Sequence, residues 1–202
     1  MIKVIAFDLG GVLFTEGKSV LVKKLFDEYD YDPETILKVL KSPESKNLRK
    51  GIISDEEFWS WVQDQLPEYD AQLIKKEWYD SYVIDDDIND LLKKLRSKYK
   101  LMIFSGNVKS RVEYLDIKYN FRKMFDSEVY SYDYGFCKPE KEFVEAMIKV
   151  SEVLPQEILY IDDQEKDANV ATEFGVNVLI YKRGMIKELL RQLEKNGVKV
   201  ND

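Results

Sequence analysis

Short apolar runs alternate with amphipathic segments along most of this chain. The runs of strand length are rich in β-branched and aromatic residues and end at turn signals. They span residues 2–8, 99–105, 127–132, 157–163 and 176–181. Helical patterns lie between them, at 86–98, 108–119, 139–151, 165–174 and 184–196. Alternating strands and helices predict an α/β fold with a Rossmann-like parallel sheet and helices on both faces.

The segment 16–82 has a different texture, because it contains no pattern typical of a strand. Its apolar residues recur at helical spacing over 18–29, 33–41, 54–65 and 70–80. Ser54 followed by Glu57 predicts a capping box at the start of the third of these helices. We therefore predict two units. Residues 1–15 and 83–202 form the α/β core, and residues 16–82 form a helical domain inserted over the sheet.

Composition excludes several classes of function. The 202 residues carry a formal charge of −7 without a long basic run, which disfavours nucleic acid as the main partner. No apolar run approaches the roughly 20 residues that a membrane span needs. The absence of His removes His-based catalysis and His-ligated zinc, and the single Cys137 excludes an intrachain disulfide. We expect a cytoplasmic protein, monomeric or homodimeric, whose chemistry depends on carboxylates, Lys, hydroxyls or a bound ion.

Polar residues occupy the predicted carboxyl ends of several strands. They are Asp8, Ser105, Asp162 and Asp163, and Lys138 lies in the loop after the third strand. Ligands of open parallel sheets bind outside these strand ends, so the set predicts a functional site. The alternative interpretation is that Asp and Ser at these positions simply cap the helices that follow.

Four motifs carry a family resemblance. In order along the chain they are FDLGGVL (7–13), FSGN (104–107), GFCKPE (135–140) and YIDDQEKD (160–167). Their order and spacing resemble the four motifs of the haloacid dehalogenase-like superfamily over most of residues 1–181. The segment 16–82 is similar to the helical cap found between motifs one and two in one class of that superfamily. The resemblance implies a hydrolase, specifically a Mg²⁺-dependent phosphatase or phosphotransferase acting on a small-molecule phosphate ester.

The resemblance also implies roles for individual residues. Asp8 would be the nucleophile that forms an aspartyl-phosphate, with Ser105 holding a phosphoryl oxygen and Lys138 neutralising the converging negative charges. Substrate would also contact backbone groups of Gly10, Gly106 and Asn107. Asp163 would bind Mg²⁺ directly, and the further metal ligands, direct or through water, would be Asp8, the carbonyl of Gly10, Asp162 and Asp167.

Gly10 departs from the pattern of most phosphatases of this superfamily. They carry a second Asp there, which protonates the leaving group and later activates water. General acid–base assistance is typically worth roughly 10²–10⁴-fold. We therefore expect phosphoryl transfer to good leaving groups and slow turnover of alkyl phosphates. Two alternatives stay open: a metal-independent 2-haloacid dehalogenase, although Gly10-Gly11-Val12 replaces the Tyr-Gly-Thr typical of those enzymes, and a non-catalytic binding module.

Substrate choice is expected to depend on the inserted segment. Arg49, Lys50 and Gly51 precede one of its helices and either present positive charge to the site or form a solvated turn. Aromatic residues at near-helical spacing are interpreted as packing within the insert, with one or two lining the entry. They are Phe58, Trp59, Trp61, Trp78 and Tyr79.

Overall fold

A computed structural model describes residues 1–200 and contains a five-stranded parallel sheet within that range. The strands run in the order β3-β2-β1-β4-β5. They are Val4–Phe7 (β1), Lys100–Ser105 (β2), Ser127–Tyr130 (β3), Ile158–Asp162 (β4) and Asn177–Ile180 (β5). Each lies inside a run that the sequence predicts to be a strand, so the α/β prediction is confirmed. The last two residues of the predicted core, 201 and 202, lie outside the described residues.

The central strand β1 is buried on both faces, as its continuous apolar sequence predicts. Side chains of successive residues point to opposite faces of a strand, so β1 contributes to two separate clusters. Val4 and Ala6 pack in the smaller cluster with residues of the helices after β3 and β4. Ile5 and Phe7 pack in the larger one, which continues into the inserted helices.

Between β1 and β2 the chain is helical, as predicted, but it contains one helix, at 43–49, that was not predicted. The helices of the insert are Gly17–Tyr29 (α1), Pro33–Leu40 (α2), Pro43–Arg49 (α3), Asp55–Gln65 (α4) and Ala71–Asp80 (α5). The predicted capping box at Ser54 and Glu57 is present. Trp59 and Trp78 pack edge to face with ring centroids 6.0 Å apart, which joins α4 to α5. The division into a core and a cap at 16–82 stays a prediction.

The remaining helices follow the predicted alternation. They are Asp86–Leu95 (α6), Lys109–Tyr119 (α7), Ser131–Tyr134 (α8), Lys141–Ser151 (α9), Glu165–Thr172 (α10) and Ile186–Lys195 (α11). The prediction for 127–132 is wrong at its end, because β3 stops at Tyr130 and Ser131 begins a single helical turn that closes at Gly135 with φ 76°. No helix within residues 1–200 combines the length and the apolar content that crossing a bilayer requires.

Candidate active site

The carboxyl ends of three adjacent strands meet at one edge of the sheet. The register of β1 pairs Phe7 with Ile103 of β2 and with Ile161 of β4. The next polar residues of these strands are Asp8, Ser105 and Asp162, and the parallel arrangement therefore brings them together. Lys138 reaches the same place from the loop between α8 and α9. The sequence prediction that these side chains converge is thus realised in the structure.

The carboxylate of Asp8 is held by contacts on both of its oxygens. Its Oδ1 accepts hydrogen bonds from the hydroxyl of Ser105 and from the backbone N–H of Leu9, both at 2.7 Å. Its Oδ2 lies 2.9 Å from the ammonium of Lys138. Burial raises the pKa of Asp8, Lys138 opposes this rise, and the nearby Asp162 adds to it. Asp8 is therefore a fixed, largely desolvated carboxylate in contact with a cation.

Lys138 links two carboxylates. Its ammonium, 8% exposed, donates to Asp162 and to the hydroxyl of Tyr160 at 2.7 Å each, in addition to its contact with Asp8. Burial alone would lower the pKa of Lys138, but Asp8 and Asp162 raise it well above its usual value. Lys138 is thus a permanent cation at this site and not a proton donor near neutral pH.

The adjacent residues Asp162 and Asp163 occupy different environments. Both oxygens of Asp162 are engaged, Oδ2 by Lys138 and Tyr160 and Oδ1 by the backbone N–H of Gln164 at 2.7 Å. Burial would raise the pKa of Asp162, but Lys138 and these hydrogen bonds lower it overall. Asp163 accepts from the Gln164 side chain at 2.7 Å, and burial raises its pKa to about 7, with Asp8 and Asp162 adding to the rise.

These carboxylates suit a divalent cation. Asp8, Asp162 and Asp163 each place a ligand atom within 4.8 Å of the other two. Mg²⁺ prefers oxygen ligands and usually takes one or two protein carboxylates. Within residues 1–200, Asp163 has no cationic partner, whereas Asp8 and Asp162 share Lys138. Burial, and then the charges of Asp8 and Asp162, raise the pKa of Asp163. The donor set therefore fits Mg²⁺, with Asp163 as the least neutralised ligand. Asp167 lies outside this group of three, and its supporting role stays a prediction.

The loop after β2 presents unused donors beside Asp8. No acceptor within residues 1–200 contacts the backbone N–H groups of Gly106 and Asn107. The side-chain carbonyl of Asn107 is bound within α7 and its start, because its Oδ1 accepts from the backbone N–H of Val108 and from the guanidinium of Arg111. The loop therefore presents two backbone N–H donors of the kind that phosphoryl oxygens accept from, and their contact with substrate stays a prediction.

The capping alternative fails for these strand-end residues. The N-cap of α7 is Val108, which makes no side-chain cap, and Ser105 instead donates to Asp8. The N-cap of α10 is Gln164, and the N-cap of α1 is Glu16. None of these strand-end residues is the N-cap of the helix that follows, although Asp162 and Asp163 also accept hydrogen bonds from Gln164.

Gly10 lies in the turn after Asp8 with room above it. An ideal Cβ on Gly10 would meet Tyr82 at 3.6 Å, an ordinary van der Waals distance. The turn backbone therefore tolerates a side chain here, and the aromatic ring of Tyr82 fills the adjacent space. The backbone at this position therefore does not itself require glycine.

Comparison with known proteins identifies the family. The family model of haloacid dehalogenase-like hydrolases matches residues 2–175. The chain belongs to the haloacid dehalogenase-like hydrolases. The resemblance of the four motifs is therefore confirmed at the level of the family, and the protein is a hydrolase by membership.

Relatives span nearly the whole of this haloacid dehalogenase-like hydrolase. An uncharacterized protein of Dictyostelium discoideum is 39% identical, with 93% of this chain and 94% of the relative covered. The D-ribitol-5-phosphate phosphatase of Bacteroides thetaiotaomicron is 28% identical over 87% of this chain and 89% of its own length. A crystal structure of a family enzyme from the same bacterium, in complex with magnesium and inorganic phosphate, superposes with a TM-score of 0.74 at 26% identity, covering 91% and 96% of the two chains.

Two further residues of this hydrolase contact the site but were not predicted from the sequence. Tyr160 lies in the middle of the apolar run of β4, so its position indicated only a buried aromatic residue. Its hydroxyl contacts Lys138 and Asp162. Arg111 lies on α7 three residues after Val108 and four before Leu115, on the buried face of the helix, and its guanidinium binds Asn107. Tyr160 and Asp162 are two positions apart in one strand, so their side chains point to the same face. That spacing could have indicated from the sequence that Tyr160 lies beside Asp162.

Proposed function

We propose that the protein is a Mg²⁺-dependent phosphatase that acts on a small phosphorylated metabolite through an aspartyl-phosphate on Asp8. The observation that carries this proposal is the set of contacts on the Asp8 carboxylate. A hydroxyl, a backbone N–H and a buried ammonium fix its orientation. Asp163, which has no cationic partner within residues 1–200, lies beside it. A carboxylate held in this way can attack phosphorus, whereas a carboxylate buried for structure alone would not need a second acidic residue within reach.

The proposed roles follow from the contacts. Asp8 forms a bond to phosphorus through one carboxylate oxygen as the ester P–O bond breaks and its electron pair goes to the leaving group. Ser105 and the N–H groups of Gly106 and Asn107 hold phosphoryl oxygens. Lys138 balances the charge that accumulates when a phosphate meets two carboxylates. Water then cleaves the aspartyl-phosphate and restores Asp8.

Mg²⁺ would be held by Asp8, Asp163 and the carbonyl of Gly10, where it supplies positive charge to the transferring group. The similarity to a family enzyme solved with magnesium and phosphate supports this assignment, and so does the 28% identity to a sugar-alcohol phosphate phosphatase. We propose that residues 16–82 form a cap that shields the reacting groups from water. The cytoplasmic location and the monomeric or dimeric state stay predictions.

The test measures phosphate release from aryl, acyl, anomeric and alkyl phosphates, with Mg²⁺ and with chelator. Wild type, Asp8→Asn and Asp87→Asn are compared. Asp87 is an exposed carboxylate that belongs to none of the four motifs, so its variant is the matched control. We expect release that needs both Mg²⁺ and Asp8 and that survives in Asp87→Asn. If folded wild-type protein releases no phosphate but releases halide from a 2-haloacid, the proposal is wrong and the dehalogenase alternative is supported.

A further inference from the structure

Three basic side chains lie together where the inserted helices meet α7. Lys18 comes from α1, Arg49 from the end of α3, and Arg111 from the first turns of α7. We call these three residues the basic cluster. Besides burial, the positive charges of Arg49 and Arg111 lower the pKa of Lys18, and that of Arg49 lowers the pKa of Arg111, so the three groups lie near one another. Within residues 1–200, none of the three lies within 4.0 Å of a carboxylate oxygen, the limit for an ion pair.

Arg111 is the most deeply placed member. It is 2% exposed, and its guanidinium lies between the rings of Trp78 and Tyr82, at 4.4 Å and 4.3 Å from their centroids. Its Nε and Nη2 donate to Oδ1 of Asn107 at 2.9 Å and 2.7 Å. Its Nη1 has no partner within the described part of the chain. Ring stacking and one neutral amide leave a buried positive charge without a counter-charge, which is unfavourable unless an anion binds.

The other two members of the basic cluster, Lys18 and Arg49, also carry positive charge without a carboxylate partner within residues 1–200. Lys18 donates to the carbonyl of Leu40 at 2.8 Å, and burial followed by repulsion from Arg49 and Arg111 lowers its pKa to about 7. Arg49 is half-buried, and its Nε donates to the carbonyl of Ser45 at 3.3 Å. The hydroxyl of Ser45 is itself buried without a partner. Unsatisfied donors on both α3 and α7 thus accompany the unpaired charges.

The basic cluster lies beside the proposed reaction site. The ring of Tyr82 contacts the guanidinium of Arg111, and one of its edge atoms lies 3.6 Å from an ideal Cβ on Gly10. Burial raises the pKa of Tyr82, the positive charges of Arg111 and Arg49 oppose this rise, and the negative charge of Asp8 adds to it. On the proposed function, Gly10 is where an acid would reach the leaving group. Arg111 and Gly10 therefore share Tyr82 as a neighbour, so the basic cluster lies next to the turn that this function places near the leaving group.

We propose that Lys18, Arg49 and Arg111 bind a second anionic group, a carboxylate or a phosphate, carried by the leaving group of the substrate. This inference rests on the proposed function and narrows its substrate class to phosphate esters with two anionic ends. A guanidinium presents paired N–H donors that match the oxygens of either anion, so Arg111 and Arg49 provide geometry as well as charge. Binding the anion supplies the partner that Nη1 of Arg111 lacks and offsets the repulsion within the cluster.

The experiment measures equilibrium binding of intact esters to the Asp8→Asn protein with Mg²⁺, alongside turnover by wild type. The probes are phenyl phosphate, a carboxyphenyl phosphate and a phenylene bisphosphate. We expect one of the doubly anionic esters to bind roughly 10- to 100-fold more tightly than phenyl phosphate, the range for hydrogen bonds between charged groups. Arg49→Gln and Arg111→Gln, each added to Asp8→Asn, should remove most of that preference. Lys38→Gln, which removes an exposed lysine of α2, should keep it.

The two readouts separate the two proposals. A preference for the second anion that Arg49→Gln removes supports the inference even if wild type turns over none of the esters, an outcome that would count against the phosphatase. Equal binding of all three esters by folded protein would overturn the inference, whether or not they are hydrolysed. Arg49 is only half-buried, so its variant remains informative if Arg111→Gln does not fold. The preferred ester also distinguishes a carboxylate from a phosphate as the second anion.

Discussion

Gly11 leaves no room for a side chain beside Asp163. An ideal Cβ on Gly11 would lie 2.2 Å from the Asp163 carboxyl carbon, and the backbone of Gly11 has φ +80°. Only glycine combines that left-handed conformation with so close an approach. The turn after the proposed nucleophile therefore determines where the proposed metal ligand is placed.

We expect Gly11→Ala to weaken Mg²⁺ binding by roughly 10- to 100-fold, the range for residues that position metal ligands. The substitution forces Asp163 to move, and it also strains the backbone at positive φ by about 1–3 kcal/mol. Mg²⁺ titration of activity and thermal unfolding measure the two effects. Gly10→Ala is the matched control, since its Cβ meets only ordinary contacts. Equal Mg²⁺ affinity in both variants would show that Asp163 does not bind the metal.

Gly10→Asp is expected to accelerate the hydrolysis of alkyl phosphates most. The added carboxyl can protonate a poor leaving group, and such assistance is worth roughly 10²-fold or more. The backbone should accept the substitution, because an added Cβ meets Tyr82 only at an ordinary van der Waals distance of 3.6 Å. The measurement is kcat/KM for an alkyl and an aryl phosphate, with Gly10→Asn as a variant of the same shape that cannot transfer the proton. A similar gain in both variants would contradict the acid–base explanation, and no gain in either would mean that the acid comes from elsewhere.

Much of the proposed site could be predicted from the sequence because it depends on the sheet. Asp8 and Ser105 follow short apolar runs, and parallel strands must bring their carboxyl ends to the same edge. Once the strands are recognised, their meeting requires no knowledge of side-chain packing. The contact between them, 97 positions apart in sequence, is a consequence of topology.

The parts of the site that could not be predicted depend on packing between the inserted helices and the sheet core. Local sequence patterns contain little information about such packing. Arg111 follows Ser110 in a helix of mixed polarity, and only the arrival of Trp78 and Tyr82 from the insert buries it. Helix α3 was missed because its seven residues are too few to show a period, although Ser42 followed by Pro43 is a start signal. Arg49 lies at the end of α3, so without this helix the sequence could not predict where Arg49 lies relative to the rest of the basic cluster.

Glu140 connects the loop of Lys138 to the insert, and we expect Glu140→Gln to loosen both. Its Oε1 accepts from Lys46 at 3.1 Å and Lys50 at 2.8 Å, and its Oε2 accepts from the backbone N–H of Cys137 at 3.0 Å. The variant should lose about 1 kcal/mol of unfolding free energy at pH 7, a modest value because Lys46 is well exposed. Its KM should rise as α3 becomes less firmly held over the site.

The effect of Glu140 should depend on pH. Burial raises the pKa of Glu140, but Lys50, the Cys137 N–H and Lys46 lower it by more, so that it falls to about 2. A depressed carboxyl pKa stabilises the folded state above the unfolded value near 4.5, and this stability is lost as the pH falls toward 2. Urea unfolding of wild type and Glu140→Gln should therefore converge across that window. Glu142→Gln, an exposed neighbour on α9, is the control, and a constant difference down to pH 2 would contradict the ion-pair explanation.

Lys18 should make the protein more stable as the pH rises above neutral. Burial and the neighbouring Arg49 and Arg111 lower its pKa from 10.5 to about 7 in the folded state. Between these two values the unfolded chain binds a proton that the folded chain does not, so the free energy of unfolding increases with pH. Below pH 7 both states are protonated, and the unfavourable burial of charge is fully present. For a single lysine this gain is at most about 2 kcal/mol between pH 7 and pH 9.

Lys18→Met removes that titration, so its stability relative to wild type should fall by about 1–2 kcal/mol as the pH rises from 7 to 9. The variant also leaves the carbonyl of Leu40 without its ammonium donor, a loss that does not vary with pH. Urea unfolding across this range measures the difference, and Lys38→Met corrects for the loss of an exposed lysine. A difference that stays constant with pH would mean that Lys18 is fully charged in the folded protein. The basic cluster would then tolerate three neighbouring charges without a bound anion, which removes the electrostatic part of the argument for a second anion site.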